Sequence, residues 1–260
     1  MSIRIALLTD FGTRDPYVAA MRGVIVGRTS APVHDLSHEI APFDVMEAAW
    51  FLRTVLLFWP AETLFVCVVD PGVGTDRRIL AAKQDGRLFL APDNGLLSLI
   101  LDSRAESPRH VFSVENPDLF LPGGSTTFHG RDRFAPVAAA IANGLGLDDL
   151  GPPVQSIVRL PYDPPRYEAG VAHGTVVSTD RFGNLITDIE VSRLPFTRFA
   201  LHARRNIIDR LEKTYAGAEP GPFLIVGSSG CIEISVANGS AAERLQMRRL
   251  DRVEVWKIEE

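Results

Sequence analysis

The chain predicts an α/β protein: an N-terminal domain built as a doubly wound, mainly parallel sheet, followed by a small C-terminal β-barrel domain. Three observations carry this. Leu64–Val69 is a continuous apolar run with no alternation, the pattern of a strand buried on both faces of a parallel sheet. Strand-like and helix-like segments alternate as far as Asn143, as in layered α/β folds. After the proline-rich stretch Asp149–Arg166, an extended linker by composition, the remaining segments are mostly short strands between turn signals. The boundary falls near Tyr162, giving domains 1–162 and 163–260.

In order, Ile3–Leu8 is a first strand ending in Thr9-Asp10-Phe11-Gly12. Asp15-Pro16 reads as the cap and first position of a helix through Ile25. Val33–Leu36 is a short strand. Asp44 caps a helix with apolar residues at Val45, Ala48, Ala49, Leu52 and Leu56, the 3.6-residue spacing. After Leu64–Val69, the strands Ile79–Ala82 and Leu88–Ala91 join through Gln84-Asp85-Gly86. Leu96–Leu101 starts a helix and His110–Val114 a strand. Gly123–Asp132 is a polar, glycine-rich lead into the helix Phe134–Asn143, which Gly144 stops. The second domain reads as strands at Gly170–Ser178, Leu185–Ile189, Phe223–Val226, Ile232–Val236 and Arg252–Lys257, with one helix, Asn206–Tyr215.

Bulk properties narrow the function. A net charge of −5 over 260 residues provides no basic footprint for nucleic acid. No apolar run reaches the length of a membrane span, and Ile5–Leu8 is too short for a signal peptide. Cys67 and Cys231 lie too far apart in sequence to suggest a disulfide framework or zinc-ligand spacing. A cytoplasmic protein is the expectation.

Candidate chemistry begins at Asp70, a carboxylate at the carboxyl end of a buried strand, where open α/β sheets bind ligands. Asp70-Pro71-Gly72 also fits an ordinary type II turn. Asp10 ends the neighbouring predicted strand, and adjacent strands lie about 5 Å apart. His129 sits in the glycine-rich lead of a helix. Arg77 and Arg78 follow the Asp70 turn; either one folded back would orient and neutralise that carboxylate. Asp10, His34, Asp35, His38, Asp70, Asp93, His129 and Asp132 also form a pool of metal-ligand types, but without recognised ligand spacing. No serine-hydrolase elbow, dinucleotide fingerprint or P-loop is present. In the second domain, Asp180-Arg181-Phe182-Gly183-Asn184 offers a carboxylate, an aromatic face and an amide. Gly227-Ser228-Ser229-Gly230 offers N–H groups and hydroxyls, and Asn238-Gly239-Ser240 is a third polar turn. Each is also compatible with a plain hairpin turn.

Taken together, these segments resemble the S-adenosyl-L-methionine hydrolases, also called hydroxide adenosyltransferases, relatives of the fluorinase and chlorinase that make 5′-halo-adenosines. The similar segments are TDFG at Thr9–Gly12, DPGVGTDRR at Asp70–Arg78, APDNGLL at Ala91–Leu97 and TFHGRDRFAP at Thr127–Pro136. In the second domain they are DRFGNLITDI at Asp180–Ile189 and GSSGCIEISVANGSAA at Gly227–Ala242. Six segments in order, over nearly the whole chain, make the likeness specific.

The resemblance implies that water attacks C5′ of the ribose and methionine leaves as a neutral thioether, with no cofactor and no metal. It implies that Asp70, Arg77 and His129 hold the water. It places Asp10 on the ribose hydroxyls, Phe43 against the sugar where the halogenases carry a tryptophan, and Asp15 at the methionine end. Asp180 and Ser228 match contacts to the methionine amino and carboxylate groups, and Phe182, Asn184 and Asn238 match adenine contacts. The halogenases lack the Asp70 and His129 side chains, and Tyr17 stands where the fluorinase has small polar residues. A homotrimer with its active site at the subunit interface is also implied. Two other functions fit the residues alone: a metal-dependent nucleoside or phosphoester hydrolase, and a non-catalytic binder of adenosine or S-adenosylmethionine.

Overall fold

The computed structural model describes residues 3–101, 110–216 and 218–259. It is a mixed α/β protein with two sheets, and the chain divides into two compact units, Met1–Pro161 and Tyr162–Glu260.

The first unit holds six strands: β1 (Arg4–Thr9), β2 (Val33–Ser37), β3 (Thr63–Val68), β4 (Ile79–Gln84), β5 (Arg87–Pro92) and β6 (His110–Ser113). Their order is β2-β1-β3-β5-β4-β6. β2, β1, β3 and β5 run parallel, and β4 is antiparallel to both β5 and β6. Both faces are covered. Ile5, Leu7, Leu64, Val66 and Val68 pack under α1 (Tyr17–Val26) and α3 (Ala135–Ala142). Ala6, Leu8, Phe65, Cys67 and Val69 pack under α2 (Val45–Leu56) and a 3-10 turn at Leu96–Leu99. Alternate residues of one strand thus enter opposite cores, so the central strands show unbroken apolar runs.

Local signals explain most ends. Asp44 accepts the Glu47 N–H and caps α2. Asp85 and Gly86, with φ of 50° and 74°, make the two-residue hairpin turn joining β4 to β5. Gly144, at φ 100°, ends α3. Asp15, expected to cap α1, makes no cap bond; Pro16 occupies the cap position. The expected helix at Leu96 is only the 3-10 turn. The first part of the proline-rich stretch is extended and docked along the first unit: Val154 N–H donates to Val111 and Pro152 accepts from Ser113.

In the second unit the strands are β7 (Arg166–Tyr167), β8 (Val171–Thr179), β9 (Leu185–Glu190), β10 (Phe199–Ala203), β11 (Asn206–Ile208), β12 (Leu211–Glu212), β13 (Pro222–Val226), β14 (Cys231–Val236) and β15 (Arg252–Lys257). The hydrogen-bonded order is β11-β10-β15-β8-β9-β14-β13-β12, with β7 beside β8. The helix expected at Asn206–Tyr215 is instead two short strands, β11 and β12, with irregular backbone between and after them. β10 and β11 form a hairpin pairing Leu201 with Ile208 and Ala203 with Asn206. The turn uses Arg204 at φ 53° instead of a glycine, so the usual hairpin signal is missing from the sequence. The helix of this unit among the described residues is α4 (Ala241–Leu245), capped by Ser240.

Candidate active site

Two adjacent strand ends set the site. β1 and β3 pair with Thr9 opposite Val68, so Asp10 and Asp70 leave the same edge of the sheet. Val73 N–H donates to the Asp70 carbonyl at 3.2 Å and closes the turn. The turn is not type II, because Gly72 is not in the left-handed region; Gly74 is, at φ 82°. A Cβ on Gly74 would lie 2.6 Å from the Thr126 carbonyl oxygen. Glycine there lets the Asp70 turn and the loop before His129 touch. Asp132 pins that loop from its other side, accepting from Ser125 N–H at 2.7 Å and from Arg131. Arg131 and that N–H hold the Asp132 carboxyl below the usual range.

Arg77 folds back onto Asp70. Its Nε donates to both carboxylate oxygens at 2.9 Å, and its Nη2 donates to Oδ2. Both side chains are buried, at 9% and 5% exposure. The same Nη2 lies 2.8 Å from His129 Nδ1. A guanidinium only donates, so Nδ1 carries the lone pair and Nε2 the proton. Burial, then Arg133 and Arg77, lower the pKa of His129, so the ring is neutral at pH 7. His129 Nε2 is buried without a hydrogen-bond partner among the described residues. The cluster therefore offers a carboxylate acceptor and an N–H donor, enough to orient one water by both ends.

Asp10 Oδ2 accepts the Phe43 N–H at 2.9 Å. Phe43 has φ 69°, unusual for a bulky residue, and the residue is 71% exposed. Asp10, Asp15, Phe43, Asp70 and His129 line one cavity of about 660 Å³. Two supports were not anticipated from the sequence. Asn94 Nδ2 donates to the Val69 carbonyl just ahead of Asp70 at 2.9 Å; the Asp93-Asn94-Gly95 loop signal marked its place but not its partner. Thr9 Oγ1 and His38 Nδ1 lie 2.9 Å apart under Asp10.

The pool of metal-ligand types does not assemble. Asp35, Asp70, Asp93 and Asp132 pair with Arg22, Arg77, Arg78 and Arg131 respectively. His34 packs against the Trp59 ring. Among the described residues no group of three or more His, Cys, Asp or Glu could hold a metal ion. Nor is any described helix long and apolar enough to cross a membrane.

In the second unit Asp180 organises its own loop. Its Oδ1 accepts the N–H groups of Phe182 and Asn184 at 2.9 and 2.8 Å, and its Oδ2 accepts Asn184 Nδ2 at 2.8 Å. Asn184 is buried, and Phe182 is 79% exposed. The loop lies on the start of α4: Gly183 accepts the Ala242 N–H at 3.0 Å, and a Cβ on Gly183 would collide with Ser240. Asn238 precedes Ser240 and is exposed, at φ 54°. Ser228 is exposed on the next turn, where Gly227 abuts buried Glu233. Tyr215 donates to Glu233 Oε2 at 2.8 Å. Burial raises both groups, Tyr215 to about 12, and Asp180 adds to the rise at Glu233.

Comparison with known proteins follows the same division. Residues 5–151 match the family model for the SAM hydroxide adenosyltransferase N-terminal domain, and residues 174–254 that for its C-terminal domain. The chain is 40% identical to the (R)-S-adenosyl-L-methionine hydrolase of Thermus thermophilus, covering 94% of this chain and 96% of that protein. It is 38% identical to the enzyme of the same name from Salinispora tropica, covering 96% and 97%. A crystal structure of a conserved protein from Thermotoga maritima superposes with a TM-score of 0.89 at 33% identity, covering 97% of this chain and all of that one.

Proposed function

The chain belongs to the SAM hydroxide adenosyltransferase family, and we propose that it hydrolyses S-adenosyl-L-methionine to adenosine and L-methionine. The observation that carries this is the buried Asp70–Arg77–His129 cluster, with its acceptor and its donor on the cavity that Asp10 also lines. A water held there forms the new O–C5′ bond as the C5′–S bond breaks. The electron pair of that bond returns to sulfur and leaves a neutral thioether. The water gives up one proton, with Asp70 as the first acceptor. A sulfonium is already a good leaving group, so the residues are needed for orientation and desolvation of the water rather than for acid catalysis.

In this proposal Asp10 receives the ribose hydroxyls and Phe43 lies against the sugar. Asp15, Asp180 and Ser228 serve the methionine end, and Phe182, Asn184 and Asn238 the adenine. Asp180 acts through the loop that it shapes as well as by charge. The names of the relatives suggest the R epimer at sulfur as the substrate. The finer architecture we propose is a doubly wound first domain, 1–162, and a small β-barrel, 163–260, in a cytoplasmic homotrimer whose active site is shared between subunits.

Incubation with each sulfur epimer, followed by chromatography, tests the reaction. Adenosine and methionine should form from the R epimer, with no slowing by a chelator. Adenine as product, or turnover that requires metal, overturns the proposal. Added chloride should give no 5′-chloro-adenosine, because two like charges 4 Å apart cost about 4 kcal/mol at an effective dielectric near 20 and Asp70 is an anion. The shared site is tested by mixing inactive Asp70→Asn and Asn184→Ala proteins; mixed oligomers that stay dead place the site within one chain.

A further inference from the structure

We propose that Tyr17, backed by Phe11 and Phe128, forms an aromatic wall that recognises the positive charge on the substrate's sulfur and so separates S-adenosylmethionine from neutral thioethers. The inference rests on the hydrolase reading above and extends it to Tyr17, which that reading leaves without a role.

The three rings come from three places: the residue after Asp10, the start of α1, and the loop before His129. Their centroids lie 5.6 Å apart for Phe11 and Tyr17, 5.9 Å for Phe11 and Phe128, and 5.1 Å for Tyr17 and Phe128, tilted by 56° to 77°. This triangle is not sealed core. All three rings line the same cavity as Asp70 and His129, and Tyr17 is 44% exposed. The wall starts beside the reacting set: a Cβ on Gly130, next to His129, would lie 3.2 Å from Phe128 and 3.3 Å from Phe11. Sulfur is one bond from the attacked carbon, so it must lie in this cavity too.

Charge points the same way. The cavity is lined by the carboxylates of Asp10, Asp15 and Glu39 and by that of Asp70, which Arg77 pairs from behind, and by no lysine or arginine among the described lining residues. A sulfonium has three carbon substituents and no hydrogen to donate, so only charge and ring quadrupoles can recognise it. Phe128 already carries the Arg131 guanidinium 5.1 Å from its centroid; of the other two rings Tyr17 is the exposed one, and Phe11 is half-buried behind it. The charge leaves sulfur as the C5′–S bond breaks. The attraction is therefore greatest in the bound substrate and gone in the product, so the wall acts on affinity more than on turnover.

Kinetics of the full-length Tyr17→Leu and Tyr17→Phe proteins test this, with S-adenosylhomocysteine as the neutral competitor. In Tyr17→Leu, KM for S-adenosylmethionine should rise on the order of 10-fold, kcat should change less than KM, and Ki for S-adenosylhomocysteine should stay in place. Tyr17→Phe should keep the discrimination. A parallel rise in KM and Ki, no change in either, or a Phe variant as impaired as the Leu variant overturns the wall. A general loss of folding would lower the apparent kcat and leave KM and Ki where they are, which is read as failure too. If the wild type leaves S-adenosylmethionine intact, the hydrolase reading fails, and calorimetric Kd values for the two ligands decide the wall by the same criteria.

Discussion

The first unit's cluster and the second unit's loop use the same residue types in opposite ways. Asp70, Arg77 and His129 are 7 and 52 positions apart and bond to one another. Their bonds leave two buried donors, His129 Nε2 and Arg77 Nη1, unspent among the described residues. Asp180 bonds within five residues, to Phe182 and Asn184, and its acceptors go to the backbone and amide of its own loop. Long-range pairing fixes a group in place and leaves chemistry over. Short-range pairing fixes a loop around its own carboxylate. A motif containing Asp thus says little about whether its carboxylate faces a ligand until the partners are known.

The largest test of that contrast is Asp70→Asn. It keeps the shape and removes the acceptor charge, so kcat should fall about 100-fold or more, while KM changes little, since in the proposed reaction this group serves the water rather than the substrate. Near-normal turnover would make the cluster a fold device like the Asp180 loop, and the contrast would collapse. Asp180→Ala should act differently. It strips three donors of their acceptor, the N–H groups of exposed Phe182 and buried Asn184 and the Asn184 side-chain amide; an unsatisfied buried donor costs about 1–3 kcal/mol. We expect a lower melting temperature and a raised KM, with kcat far less affected than in Asp70→Asn. A kcat loss of the same size would move the second unit into the chemistry.

A pH series sharpens the account of His129. Its folded pKa lies below the unfolded value near 6.5. The unfolded chain then takes up a proton the folded one does not, so stability is lost as pH falls below 6.5 towards the folded value and is intact above it. Activity should fall on an acid limb centred below 6.5, because protonation of Nδ1 would set two cations face to face. A limb at or above 6.5 would mean that burial, Arg133 and Arg77 do not hold the ring neutral. The smallest effect is Glu233→Gln. The folded pKa of Glu233 is raised, so its cost sets in as pH climbs past the ordinary carboxylate range. The amide removes that cost and still accepts from Tyr215. The variant's melting temperature should exceed that of the wild type by a few degrees at most, and by more at pH 8 than at pH 5. An equal gain at both would rule out ionisation as the source.

The sequence showed the first unit well because its strands are buried on both faces and its turns use Pro, Gly and Asp in their usual places. The Leu64–Val69 run and the Asp85-Gly86 turn are instances. The β10–β11 hairpin was hidden because Arg204 turns it without glycine, and Ile207-Ile208 reads equally as helix. In the site, residue types were legible but pairings were not. Of two adjacent arginines, nothing in the sequence says that Arg77 turns to Asp70 and Arg78 to Asp93. The role of Gly74 was equally out of reach, since it depends on a carbonyl 52 residues away in the chain, that of Thr126.

Arg77 also decides where a proton cannot travel. It lies between Asp70 and His129, bonded to both, and a guanidinium neither accepts a proton nor gives one up in a protein. No relay runs from the carboxylate through Arg77 to the imidazole. In the proposed reaction, a proton taken by Asp70 would stay there until solvent or a departing product opened a path, so the enzyme would be reset from the mouth of the cavity and each turnover would close on an exchange with the bulk.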